Sequence, residues 1–226
     1  MTRTTNARIA GFTFLFYIAA SIASMVLFAR ATTGEGIAAQ LAGIAQHATD
    51  VRITVVLGLL QSFSALVLAV TLYAITREQD PDLAMLALSC RVAEGIGIGV
   101  GIPTTLGLLW IATATGASAP DTGAAHALGA FLLKVGAWDA SATFFAVGST
   151  LFWWLLLRGR MIPVALAWLG VLASILLVVC LPLQFAGLLG DPVTSVMWLP
   201  MLLSEVALAL WLIVKGVAAP TPRLPA

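Results

Sequence analysis

Six predominantly apolar runs, each more than twenty residues long, dictate how this chain can fold: Ile9–Ala29, Val51–Thr76, Leu83–Ala112, Ala127–Leu157, Val164–Leu188 and Val196–Val217. A helix rises about 1.5 Å per residue, so some 20 apolar residues cross a hydrocarbon layer about 30 Å thick. Lipid offers nothing to hydrogen-bond, and each run must close its own backbone bonds as a helix. The expected fold is therefore all-α, a polytopic membrane helix bundle of six transmembrane helices. Composition excludes the soluble alternative. The chain is 61% hydrophobic and 9% charged, against about 45–50% and about 25% in soluble domains. No polar block large enough to fold alone interrupts the runs, so residues 1–226 are expected to form a single transmembrane domain.

Local punctuation agrees with these limits. Asp50 is placed to cap the second helix, Asp80-Pro81-Asp82 stops and restarts the chain, Ile162-Pro163 opens the fifth helix, and Asp191-Pro192 offers a cap followed by proline. Arg3 and Arg8 precede the first run as in a signal peptide. That run is longer than the roughly 7–15 residues of a signal-peptide core, so it is expected to stay as a helix. In the first outer loop Ile37, Leu41 and Ile44 recur at helical spacing against Gln40, Gln46 and His47. This pattern fits either a short interfacial helix on the membrane surface or a partly ordered linker. Residues 218–226 are rich in proline and expected to be a disordered cytoplasmic tail.

Basic residues set the orientation. Arg3, Arg8, Arg77, Arg158, Arg160, Lys215 and Arg223 fall on the N-terminal side of the membrane, and Arg30 and Arg52 on the other. By the positive-inside rule both termini are expected to be cytoplasmic, with membrane lipids as neighbours. The net charge of +1 gives no basic stripe, and no nucleic-acid partner is expected. Cys90 and Cys180 lie far apart within apolar runs, which suggests neither a disulfide framework nor a metal site. No cofactor motif is present, and no fixed-period repeat is visible.

The opening Ala7-Arg8-Ile9-Ala10-Gly11, the pair Leu72-Tyr73, Arg91-Val92-Ala93-Glu94, Arg158-Gly159-Arg160-Met161-Ile162-Pro163, and Glu205 followed by Trp211-Leu212-Ile213-Val214-Lys215-Gly216 also occur in this order. Over nearly its whole length the chain resembles the bacterial membrane family catalogued as domain of unknown function 4386. The resemblance implies a multi-helix protein of a bacterial plasma (inner) membrane and supplies no mechanism.

Five ionisable residues fall within the runs: Arg91, Glu94, Lys134, Asp139 and Glu205. Each costs about 2.5–3.5 kcal/mol at the bilayer centre even on lenient scales, so each should face the interior and find a partner. Counting depth at about 1.5 Å per residue puts Arg91 level with Asp139, and Glu94, Lys134 and Glu205 together about 11–14 Å below the outer edge. Arg91 can pair with Asp139, or with Glu94 at three-residue spacing on its own helix. If one lysine meets two carboxylates, Glu94 or Glu205 should keep a proton, and counting does not choose between them. The same residues serve equally as a structural network that fixes helix register.

Other candidates are thinner. Gly95, Gly97, Gly99 and Gly101 precede Pro103, a run suited either to close helix packing or to a kinked, unwound stretch. His47 and His126 lack the further ligands zinc needs. Ser141, Ser149 and Ser204 have no histidine beside them to act as base, and intramembrane serines usually bond their own helix. Most of the seven tryptophans fall near span ends, whereas Trp138 lies one turn after Lys134 and can cover its ammonium. The leading expectation is a non-enzymatic protein that binds or transports a small solute, lipid or protons through a charged interior cavity. The alternatives are an intramembrane enzyme acting on a lipid-like substrate, with Glu94 or Glu205 as acid or base, and a structural membrane subunit. No catalytic residue is assigned.

Overall fold

The computed structural model describes residues 2–116, 119–136 and 140–219. Among them the chain forms α1 (Arg3–Ala31), α2 (Ile37–Gln46), α3 (Ala48–Thr76), α4 (Pro81–Thr113), α5 (Thr122–Gly136), α6 (Ser141–Arg158), α7 (Val164–Phe185), α8 (Asp191–Val196) and α9 (Leu199–Val214), with no strand among the described residues. Six helical stretches are long and apolar enough to cross a membrane: α1, α3, α4, α6, α7 and Pro192–Val214. The side chains left exposed on them are large and apolar, such as Phe12, Met25, Val70, Val100, Leu172, Leu203 and Val214, as contact with hydrocarbon requires. This is an all-helical, multi-pass membrane protein.

Two of the six runs differ from their sequence limits. Ala127–Leu157 is not one helix: α5 ends at Gly136 and α6 begins at Ser141. Residues 137–139 lie outside the described residues. Lys134 lies in the last turn of α5, which at 15 residues is shorter than the candidate spans. The last run, Val196–Val217, begins at the final residue of the short α8 and contains α9, and Pro192–Val214 together form one candidate span. Asp191 and Asp50 are not helix caps. Gly190 is the N-cap of α8, and Asp50 sits in the first turn of α3, 3.4 Å from His47 and 3.9 Å from Arg30. Asp80 does cap, accepting the Leu83 N–H at 3.3 Å while Pro81 opens α4. The loop pattern Ile37, Leu41, Ile44 forms α2, whose Leu41 and Ile44 are buried.

Helix ends are set by left-handed residues. At the end of α7, Gly187 has φ 72°, its N–H reaches Gln184 O, and the Leu188 N–H reaches Leu183 O. This is the Schellman arrangement, and it ends α7 three residues short of the apolar run. At the end of α6 the same two bonds run from Arg160 to Leu157 O and from Met161 to Leu156 O. There the left-handed position is taken by Arg160, φ 50°, although Gly159 is next to it. Space explains the placement: a Cβ on Gly159 would lie 2.7 Å from Met161 Cε.

The chain divides into two compact units. The first comprises Met1–Ile18, Phe63–Gly95 and Ala140–Ala226. Its core gathers Ala7, Ala10 and Phe14 of α1, Leu68, Leu72 and Ile75 of α3, Ala84 and Ala87 of α4, and the inner faces of α6, α7 and α9. Small residues let its helices close up. A Cβ on Gly11 would stand 2.7 Å from Ala209 O, one on Gly148 3.0 Å from Cys90 Cβ, and one on Gly170 2.0 Å from the Trp153 ring. Ala218, placed in the tail by sequence, is joined to this unit: its N–H bonds Met161 O at 3.0 Å, and its carbonyl lies 3.5 Å from Arg3 Nη1. From residue 220 the expected tail lies outside the described residues. The second unit, Ala19–Ser62 and Ile96–Asp139, has its own core of Ala31, Leu41, Ile44, Val51, Leu108, Leu109 and Ile111. In it α2 seats Ile37 and Leu41 against Gly129 of α5.

Candidate functional site

Four helix faces of the first unit converge on one charged group. On α4, Ala84, Ala87, Arg91 and Glu94 recur at three- and four-residue spacing and are all buried, which puts Arg91 and Glu94 on a single inward stripe. On α6, Phe145, Ser149, Phe152, Trp153 and Leu156 form the matching stripe, and on α9 Glu205 shares one with Met201, Leu208 and Leu212. From α1 come Phe14 and Tyr17.

Arg91 and Glu94 are each 1% exposed, and Arg91 Nη1 stands 2.9 Å from Glu94 Oε2. Of the two pairings open to Arg91, this is the one formed among the described residues. Asp139 and Trp138 lie outside them. Tyr17 donates its hydroxyl to Glu94 Oε1 at 2.7 Å, so both oxygens of Glu94 are engaged. The guanidinium carbon is 5.0 Å from the Phe145 ring centroid and 5.9 Å from those of Phe14 and Tyr17. Ring faces attract a cation, more so away from water, and here they stand where hydrogen-bond acceptors would normally be. No nitrogen of Arg91 makes a hydrogen bond among the described residues.

Beside this pair is a small cavity lined by Arg91, Ser149 and Glu205 against apolar side chains of α1, α3, α6 and α9. It leaves about 10 Å³ for an occupant, room for roughly one water molecule. Glu205 and Ser149 are both 5% exposed, and neither makes a hydrogen bond or ion pair among the described residues. Ser149 departs from the usual intramembrane serine, which bonds its own helix as Ser174 and Ser204 do here.

The remaining sequence candidates are not among the residues that line the cavity. Lys134 belongs to the second unit and is exposed on α5. Along α4, Gly95 is buried, Gly97 and Gly99 are half-buried and Gly101 is exposed. A Cβ on Gly99 would lie 3.6 Å from Ser62 Oγ, an ordinary contact, and one on Gly101 would meet open space. The helix continues unbroken through Pro103 to Thr113, so the glycine run is not an unwound segment. Closer approaches occur at Gly11, Gly148 and Gly170 in the first unit and at Gly43, against Ala31 O, in the second. Sequence reasoning missed Phe14, Tyr17 and Phe145, and it set Trp153 among interfacial rings although Trp153 is 3% exposed. A signal existed for Tyr17, one of only two tyrosines in the chain and set mid-run in α1, because a buried phenol needs a hydrogen-bond partner. Among the described residues no group of three or more His, Cys, Asp or Glu could hold a metal ion.

No curated protein and no solved structure matches the chain. The model of the family described as "Domain of unknown function (DUF4386)" matches residues 9–216, nearly the whole chain, and the protein belongs to that family.

Proposed function

We propose that this integral membrane protein binds and moves protons together with a small solute at the cavity of its first unit, and that Glu205 is the residue that takes up the proton. One observation carries the reading: a single buried guanidinium serves two buried carboxyls, and the second has no ion-pair or hydrogen-bond partner among the described residues. Glu94 is held by Arg91 and Tyr17. An unpartnered carboxylate in a low-dielectric interior is costly, and a proton removes the cost. The size of the cavity favours a water-sized occupant over a lipid. In a bacterial plasma membrane with both termini cytoplasmic, an orientation supported by the arginine and lysine distribution, such a site lies on a path for protons between the two faces.

Infrared difference spectroscopy of the carboxyl stretch across a pH titration tests this. A protonated-carboxyl band is expected in the wild type, retained in Glu94→Gln and lost in Glu205→Gln. A band that persists in Glu205→Gln would refute the assignment.

A further inference from the structure

Three buried polar side chains line the cavity, and among the described residues none of them makes a hydrogen bond. They are Arg91, Ser149 and Glu205, which are 1%, 5% and 5% exposed. Buried polar groups in folded proteins are hydrogen-bonded almost without exception, so the unused hydrogen-bonding capacity of Ser149, Glu205 and the ion-paired Arg91 around a shared space points to an occupant. The space, about 10 Å³, admits a single particle of roughly the size of water. Larger anions such as sulfate or an organic carboxylate do not fit.

Donor and acceptor chemistry then depends on Glu205. An ionised carboxylate only accepts and a guanidinium only donates, so with Glu205 ionised a water bridging the two satisfies both. With Glu205 protonated, its O–H, the Ser149 hydroxyl and the free nitrogens of Arg91 can all donate into the same space. Three converging donors, one of them cationic, make an anion site, and hydrogen bonds from a charged donor are the stronger kind. A cation is disfavoured because Arg91 itself lines the wall.

We propose that protonation of Glu205 turns this cavity from a water site into a site for one halide-sized monovalent anion, so that a proton and an anion enter together. The inference rests on the reading of Glu205 as the proton-binding residue. Charge supports the coupling. Ionised Glu205 supplies one negative charge beyond the Arg91–Glu94 pair, and a proton on Glu205 together with a bound anion leaves that local charge unchanged. The charged and titratable groups that act on Glu205 are Arg91 and Glu94 from α4 and Tyr17 from α1. The cavity walls from α3 and α6 contribute Leu72, Ser149, Phe152, Trp153 and Leu156, none of which titrates.

The test is calorimetric titration of the full-length protein in detergent with sodium chloride, against gluconate at constant ionic strength, in buffers of differing ionisation heat. Chloride should bind at least roughly tenfold more tightly at about pH 5 than at about pH 8, with proton uptake on binding where Glu205 starts ionised and none where it is already protonated. Glu205→Gln should bind chloride at both pH values with no proton uptake. Ser149→Ala should bind it several-fold more weakly at an unchanged melting temperature. If a Glu205 infrared band is present but chloride binds neither the wild type at acid pH nor Glu205→Gln, the anion proposal is overturned, the cavity holds water alone, and the proton reading stands. Chloride binding that is independent of pH, with no carboxyl band assigned to Glu205, would instead sink the proton reading and the coupling with it.

Discussion

Tyr17 and Glu94, on α1 and α4, are joined by a 2.7 Å hydrogen bond from phenol to carboxylate. Together with the 2.9 Å approach of Arg91 to the other oxygen, it commits Glu94 to a structural pairing and separates it chemically from Glu205. Tyr17→Phe should remove one charged-group hydrogen bond and leave a buried oxygen poorly served, lowering stability by about 1–3 kcal/mol in detergent unfolding. The Glu205 carboxyl band should be unmoved. A shift of that band in Tyr17→Phe would mean that the two carboxyls act as one unit.

Close helix packing is expected to be sensitive at Gly170 and tolerant at Gly101. A Cβ at Gly170 would fall 2.0 Å from the Trp153 ring, while one at Gly101 meets open space. Gly170→Ala should cost about 1–3 kcal/mol through overpacking. Gly101→Ala should be neutral or gain up to about 1 kcal/mol from helix propensity. Thermal melts of the two variants side by side would check the contrast, and equal losses would contradict it.

The α6–α7 connection makes an inverted pair of predictions. Arg160 holds a left-handed φ of 50° that suits glycine, so Arg160→Gly should stabilise by up to about 1 kcal/mol. Gly159→Ala should destabilise, since the new methyl would press on Met161, itself 2% exposed. Unfolding of both variants measures the signs, and a stable Gly159→Ala would show that Met161 yields readily.

Topology is open to labelling. Single cysteines replacing Thr2 and Thr122 in a background without Cys90 and Cys180 should react differently with an impermeant thiol reagent added to intact cells. The site at residue 122 should label and the site at residue 2 should not. Labelling at residue 2 would reverse the orientation inferred from the basic residues.

What could be read from sequence follows from the range of each interaction. The spans are a local property, since twenty apolar residues fix a helix wherever it lies, and four of the six runs match their helices closely. The start of α6 at Ser141 leaves no mark in the composition of the run Ala127–Leu157, which is apolar on both sides of it. The Arg91–Glu94 pair is local too, three residues apart on one helix. Phe14, Tyr17 and Phe145 reach Arg91 only when α1, α4 and α6 meet, and no spacing within one helix encodes that. The choice between Glu94 and Glu205 was undecidable for the same reason: it turns on a hydroxyl contributed from 77 residues away.

The anchoring of Ala218 has a practical side. Its N–H is spent on Met161 and its carbonyl faces Arg3, so the backbone just past α9 is stitched to both the start of α1 and the α6–α7 turn. A reporter or affinity handle spliced directly after Val217 would pull that stitch out, whereas one attached beyond Ala219 leaves it whole. Fusion points for expression should therefore be chosen downstream of this residue, and a loss of yield on moving the junction upstream by two or three positions would trace to these two contacts.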